Sequence, residues 1–198
     1  DAAICEVNAQ PQLGAITYAE IYDEILTTLV PNKGRIPIVL IIGEKSAHEV
    51  ATELLSMWPA VDQQVAIASN KGIWLNNSQI SKANTMLNMS KAALSLSTID
   101  ALITVATIAE LEKSGVAFDY CDVLILADNS HTASLKAQRM IFAQNINTLV
   151  MSNNEQTENI AKTLGIKEIK TVNKTGSGSL IKNLSLAAAD SLSISVQK

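Results

Sequence analysis

Short apolar runs alternate along the chain with segments whose apolar residues are spaced three and four apart. The runs Ile36–Ile42 and Asp122–Ala127 are typical of strands buried on both faces of a parallel sheet. The segments Tyr18–Leu29 and Met86–Leu96 carry their apolar residues at helical spacing. This alternation predicts an α/β fold in which an open, mostly parallel sheet is covered by helices on both faces.

The other predicted elements continue the same alternation. Gln64–Ala68 and Gly72–Ile80 are predicted to be two strands joined by Ser69-Asn70-Lys71, a small hairpin excursion. Further strands are predicted at Ala101–Ala106, Thr148–Met151 and Glu168–Val172, and further helices at Ile108–Lys113, Thr132–Gln144 and Glu155–Leu164. Right-handed crossovers place the carboxyl ends of parallel strands at one edge of the sheet, where ligands bind. Residues at this edge are Gly43, Val105, Asp128 and Asn153.

The two ends of the chain differ from its centre. Ala2–Asn8 alternates in apolar character like a strand, so we expect the chain to be a piece of a longer protein. Thr175–Ser179 has the composition of a flexible linker. Leu180–Val196 predicts an apolar helix that packs on this sheet or on a partner. We therefore divide the chain into a terminal strand of an upstream domain (1–14), an α/β domain (15–174) and a linker with a C-terminal helix (175–198).

Charge and composition exclude several classes of function. The 198 residues carry 15 Lys and Arg against 19 Asp and Glu, and the basic residues are scattered. This balance argues against nucleic acid or an anionic membrane as a partner. The longest apolar stretch, Ile36–Ile42, is too short to span a bilayer. Two cysteines without neighbours at metal spacing, Cys5 and Cys121, favour a reducing, cytoplasmic location.

Four segments resemble known ligase domains in order and spacing. Gly34–Val39, Gly72–Ile80 and Gly115–Val123 are similar to the central domain of Mur-type ligases, and Ile4–Ala9 resembles the closing strand of an ATP-grasp domain. Cyanophycin synthetase joins these two modules, and the resemblance covers nearly the whole chain. It implies a parent enzyme that uses ATP and magnesium to activate a carboxylate for amide formation, with an ATP-grasp domain upstream. Within that resemblance, Glu6 and Asn8 correspond to magnesium ligands of the ATP-grasp site.

The loop after the first strand departs from the resembled family. Mur-type ligases have a glycine-rich phosphate loop with Lys-Thr there, whereas this chain has Gly43–Glu49, reading GEKSAHE. A phosphate cradle needs glycines and a lysine at the helix start. This loop keeps one glycine and adds Glu44 and Glu49, whose charges oppose a triphosphate. In the same segment, Ser46 is predicted to cap the following helix, with Glu49 completing a capping box.

Two more departures point in the same direction. Family members end the next strand with a metal-binding Glu and an Ala-Arg-Gly-Gly turn, whereas this chain has Val105–Ala109, reading VATIA. The third domain that completes the family's second ligase site is not expected within this chain. The pattern resembles the second type of cyanophycin synthetase, which joins β-aspartyl-arginine dipeptides. We therefore expect a structural, oligomerising module with no catalytic residues and no cofactor of its own, which pairs protomers through Leu180–Val196.

Alternative hypotheses remain open at this point. The domain could be an active Mur-type ligase or nucleotide-binding domain in which Gly43, Lys45 and Ser46 form an atypical phosphate loop. It could also be a doubly wound binding module unrelated to ligases. His48 and His131 have no second ligand at metal spacing, so surface or capping roles are favoured.

Overall fold

The computed structural model describes residues 19–25, 35–58, 63–127, 146–152, 166, 168–173 and 177–192. The chain divides into two units, Asp1–Ile36 and Pro37–Lys198. In the first unit, residues 19–25 form helix α1, inside the helix predicted over Tyr18–Leu29. Its side chains Ile21, Tyr22 and Ile25 are exposed. The predicted strand near Glu6 and the predicted helices at Thr132–Gln144 and Glu155–Leu164 lie outside the described residues.

One sheet organises the second unit. Its strands are β1 (Ile38–Ile42), β2 (Val65–Ser69), β3 (Gly72–Leu75), β4 (Ser78–Ser81), β5 (Ala101–Ala106), β6 (Cys121–Leu126), β7 (Ile146–Ser152) and β8 (Glu168–Val172). They lie in the order β4-β3-β2-β5-β1-β6-β7-β8. The pairs involving β3 are antiparallel and the others are parallel. This confirms the predicted open, mostly parallel α/β sheet with a small hairpin excursion.

Helices cover both faces of this sheet. The described helices are α2 (Ala47–Ser56), α3 (Met86–Leu94), α4 (Ile108–Ser114) and α5 (Ser177–Ser191). On one face, Val39 and Ile41 of β1 pack in a cluster that includes residues of α2 and α5. On the other face, Leu40 and Ile42 pack with Met86 of α3 and Leu111 of α4. No helix in the described part of the chain is long and apolar enough to cross a membrane.

The hairpin differs in detail from its prediction. Gly72–Ile80 is not one strand but β3, a turn and the first part of β4. The turn depends on Asn76, whose φ of 50° lies in the left-handed region that asparagine tolerates. Gly72 has φ of 136°, and a Cβ there would lie 2.4 Å from the carbonyl oxygen of Ser81. Backbone geometry therefore requires glycine at this position.

The C-terminal helix packs on the sheet. Leu184, Ala188 and Ala189 of α5 are buried in the cluster that contains α2. The Ser185 hydroxyl donates a hydrogen bond to the Val50 carbonyl oxygen at 3.3 Å. The sequence left open whether this helix covers its own sheet or a partner, and the described residues lie on the sheet. The buried stripe is therefore used within the chain, and pairing of protomers through Leu180–Val196 stays a prediction.

The linker prediction is also corrected by this helix. α5 begins at Ser177, inside the stretch Thr175–Ser179 that composition predicts to be flexible. Intrinsic preference is weak compared with tertiary packing, and burial of the α5 stripe favours the helix. The Lys170 side chain on β8 forms an ion pair with Asp190 of α5, which also joins the helix to the edge strand.

Truncation of Leu184 tests the packing of α5. We expect Leu184→Ala to lower the free energy of unfolding by about 2–5 kcal/mol, because it leaves a cavity beneath the helix. The matched control is Lys182→Ala on the exposed side of the same helix, which should change it by less than about 0.5 kcal/mol. Urea denaturation measures both. Equal effects of the two variants would contradict the burial of Leu184 against the sheet.

Candidate functional site

The carboxyl ends of the central parallel strands form the candidate site. After β1 the chain crosses to β2, on one side of β1 in the sheet. After β6, which is the neighbour of β1 on its other side, the chain continues to β7. The connections from these two adjacent strands therefore run in opposite directions. Ligands in open α/β sheets bind where this reversal occurs. The residues that follow these strands are Gly43 after β1, Thr107 after β5 and Ala127 after β6. Asp128 and Asn153, also predicted at this edge, lie outside the described residues.

Backbone hydrogen bonds tie the ends of these three strands together. The Gly43 amide donates to the Ala106 carbonyl oxygen at 3.1 Å, and the Ala127 amide donates to the Ile42 carbonyl oxygen at 2.9 Å. The Ser46 hydroxyl donates to the Ala127 carbonyl oxygen at 3.5 Å. Gly43 is buried, whereas Glu44 and Lys45 are exposed. The amide of the loop's one glycine is thus used within the sheet.

The loop has the wrong backbone conformation for a phosphate nest. Nests that bind phosphate are built from successive amides in alternating right- and left-handed conformations. Within the described residues, positive φ occurs at Gly72, Asn76 and Gly115, so none falls in residues 43–47. Residues 43–47 therefore lack the alternating handedness that defines a nest.

The predicted capping box at the start of α2 is wrong. Ser46 is the N-cap, but its φ of −89° and ψ of −10° are helical and its side chain makes no capping bond. An N-cap side chain reaches the first-turn amides from an extended backbone. The hydroxyl is directed instead to Ala127, across the end of the sheet.

A capping box lies after β5 instead. The Thr107 side chain accepts from the Glu110 amide at 3.2 Å, and the Glu110 carboxylate accepts from the Thr107 amide at 2.9 Å. The same carboxylate accepts from the Thr107 hydroxyl at 2.9 Å. Sequence reasoning missed this pair, although Thr107-Ile108-Ala109-Glu110 carries the T-x-x-E signature of a capping box. These polar groups serve to begin α4.

His48 lies in the first turn of α2, beside this edge. Its ring meets the Trp74 ring edge-on, with centroids 6.1 Å apart and an interplanar angle of 76°. Partial burial and the positive charge of Lys71 lower the pKa of His48 from its ordinary value, and the negative charge of Glu110 opposes that shift. The described residues contain no group of three or more His, Cys, Asp or Glu side chains that could hold a metal ion.

At the other ends of the central strands, where β1 and β6 begin, the polar side chains make structural contacts. The Asp122 carboxylate accepts from the Ile38 amide at 2.8 Å, at the start of β1. The Cys121 thiol donates to the Val123 carbonyl oxygen at 3.1 Å, and burial raises its pKa to about 12. Such a thiol stays protonated and inert at neutral pH. His131 and the predicted magnesium ligands Glu6 and Asn8 lie outside the described residues.

Comparison with known proteins bears on the fold. No family model matches the sequence, and no curated protein matches it. Of the solved structures, 22 chains match. One of them is a structure of UDP-N-acetylmuramoyl-L-alanyl-D-glutamate--2,6-diaminopimelate ligase, with 11% identity and a TM-score of 0.62. The fold is Mur-ligase-like. The match covers 89% of this chain but 47% of the ligase, so this chain spans about half of its length.

Loss of the Thr107 hydroxyl tests the role assigned to the capping box. We expect Thr107→Val to lower the free energy of unfolding by about 1 kcal/mol, because it removes the bonds to Glu110 at the helix start. The control is Thr52→Val, which removes an exposed hydroxyl bonded to the His48 carbonyl oxygen within α2. Denaturant unfolding compares the two. A loss at Thr107 no larger than at Thr52 would show that the Thr107 hydroxyl contributes no more to stability than an ordinary exposed hydroxyl.

Proposed function

We propose that the Mur-ligase-like unit of this chain is a structural module of a larger ATP-dependent amide ligase and binds no nucleotide itself. The observation that carries this proposal is the backbone of residues 43–47, where positive φ is absent. A triphosphate in this fold family's position would meet a loop without the alternating handedness of a phosphate nest. The Gly43 amide already donates a hydrogen bond to the Ala106 carbonyl oxygen within the sheet.

The charges around the loop support the same proposal. Glu44 is exposed beside the start of α2, and Glu49 is exposed in the first turn of that helix. Two like charges 4 Å apart repel by about 1–4 kcal/mol, depending on the local dielectric. Lys45 is the loop's one basic side chain. A triphosphate would therefore meet two carboxylates and one ammonium group at the position where Mur-type ligases present glycines and a lysine.

The end of β5 gives a second line of support. The resembled family has a metal-binding Glu and an arginine-containing turn there, whereas Val105 is buried and apolar. The polar groups that follow, Thr107 and Glu110, bond to each other in the capping box. At this position the chain has none of the residues with which the resembled family binds a metal ion or a phosphate.

The proposed parent follows from the sequence resemblance to cyanophycin synthetase. Its ATP-grasp domain, upstream of this unit, would hold magnesium and ATP with the help of Glu6 and Asn8. A substrate carboxylate would take the γ-phosphoryl group of ATP, and an amine would then displace phosphate to form the amide. We propose that the joined units are β-aspartyl-arginine dipeptides and that the parent is a homo-oligomer. Sequencing the full reading frame tests the proposed parent. An upstream sequence without an ATP-grasp domain would contradict it.

Calorimetry with ATP and magnesium tests the absence of a nucleotide site. We expect only the heat of dilution when the chain is titrated to millimolar ATP, because the loop has neither a nest nor a favourable charge. The variant is Lys45→Ala, and its control is Lys91→Ala, an exposed lysine in the last turn of α3. Saturable micromolar binding that disappears in Lys45→Ala and persists in Lys91→Ala would overturn the proposal. That result would favour the alternative, an atypical phosphate loop formed by Gly43, Lys45 and Ser46.

A further inference from the structure

The two edges of the eight-stranded sheet differ in charge. At one edge, β8 carries Glu168 and Lys170, and Lys170 forms an ion pair with Asp190 of α5. Charged side chains and covering elements commonly protect an edge strand from pairing with another chain. At the other edge, β4 (Ser78–Ser81) reads SQIS and contains no charged residue. β4 therefore lacks the charges that protect β8.

The free side of β4 is exposed. β4 is last in the strand order and pairs with β3 alone, so no strand in the described part of the chain lies against its other side. Ser78, Gln79 and Ile80 are exposed. Backbone groups on the free side of an edge strand can bond to a strand of another chain. β4 therefore offers a position for one further strand.

Ile80 is the apolar residue of this edge. The β3–β4 register pairs Trp74 with Gln79 and Ile73 with Ser81, which leaves Ile80 without a cross-strand partner in β3. Its side chain is 49% exposed, and among the described residues of the second unit it is the one exposed large hydrophobic residue. Apolar pairs across neighbouring strands stabilise a sheet. A second apolar side chain opposite Ile80 would supply the pair that β3 does not.

Side-chain contacts hold β4 in place before any further strand binds. The Gln79 side-chain amide donates to the Ser81 carbonyl oxygen at 3.1 Å and to the Lys71 carbonyl oxygen at 3.3 Å. The Ser81 hydroxyl donates to the sulfur of Met89 on α3 at 3.8 Å. Ile73 of the neighbouring β3 is buried. Because the strand is already ordered, pairing costs less conformational entropy.

The charges beside β4 favour an antiparallel copy of the same strand. Two exposed lysines, Lys71 and Lys82, lie at the Ser81 end of this edge. A parallel copy would place the lysines of both chains at the same end, and like charges opposite each other on neighbouring strands are destabilising. An antiparallel copy places them at opposite ends of the strand pair. Only the uncharged residues of the two strands then meet at the centre.

We propose that β4 pairs with β4 of a second copy of this chain, antiparallel and across a two-fold axis beside Ile80. This register places Ile80 opposite the partner's Ile80 and Lys82 opposite the partner's Ser78. The strand has four residues, so the contact is smaller than the about 800 Å² per partner of a standard interface, and the dimer is weak. The inference rests on the homo-oligomer proposed above and names its surface; it does not depend on the nucleotide site.

Sedimentation equilibrium over a range of concentrations tests the pairing on the full chain. We expect the average mass to rise from 21.2 kDa towards twice that value as the concentration approaches about 1 mM. Ile80→Lys should weaken association roughly tenfold or more, because it sets two like charges opposite each other. The matched control, Thr52→Lys, adds the same charge at an exposed position of α2 and should leave association unchanged.

Two outcomes of the sedimentation experiment would overturn the proposal, and they differ in what else they exclude. A dimer that Ile80→Lys leaves intact would remove this surface but keep the proposed homo-oligomer. A wild-type chain that stays monomeric would remove the surface and the support that it gives to the homo-oligomer. Neither outcome bears on the absence of a nucleotide site, which calorimetry tests separately.

Disulfide cross-linking tests the register without a change of charge. Opposite Cα atoms of an antiparallel pair lie about 4.5–5.5 Å apart, a distance that a disulfide can span. We expect Ile80→Cys, in a Cys5→Ser background, to form a covalent dimer on mild oxidation, whereas Cys121 is buried. The matched control is Ser78→Cys, because the two copies of residue 78 lie about 13 Å apart along the strands in this register. Equal cross-linking of the two variants, or none in Ile80→Cys, would contradict the two-fold pairing.

Discussion

The burial of β1 on both faces is the constraint on which the rest of the unit depends. All five residues of Ile38–Ile42 are buried and all are apolar, so any chemistry at this strand must lie at its ends. At its start, the Ile38 amide is satisfied by Asp122 of β6. At its other end, Gly43 continues the ladder to β5. Backbone groups at both ends of the central strand therefore bond to neighbouring strands of the sheet.

The carboxyl end of β1 is the place where the proposed structural role differs from a ligand-binding role. Fold and function are separable, because sites are built from a few residues on loops that the fold tolerates in many forms. Here the loop after β1 has no left-handed residue, and Ser46 bonds to Ala127 instead of capping α2. After β5, Thr107 and Glu110 satisfy each other. Under the proposed structural role, these contacts within the protein take the place of contacts to a ligand.

Sequence patterns predicted the strands well because a doubly buried strand needs a continuous apolar run, as in Ile38–Ile42 and Cys121–Leu126. Local signals at element ends were less reliable. Ser46-x-x-Glu49 and Thr107-x-x-Glu110 fit one pattern, but the cap forms only where the first residue is extended, as Thr107 is. That backbone angle depends on how the loop crosses the sheet. The start of α5 was missed for a related reason, since burial of Leu184 outweighs the Gly and Ser composition before it.

A crystal structure grown with millimolar magnesium and a non-hydrolysable ATP analogue tests the central claim most directly. The account predicts a loop at residues 43–47 with negative φ throughout, the Gly43 amide still bonded to Ala106, and no phosphate density at the start of α2. A triphosphate bound there by convergent amides, with a left-handed residue in the loop, would contradict it. That result would show that the carboxyl end of β1 is a working nucleotide site.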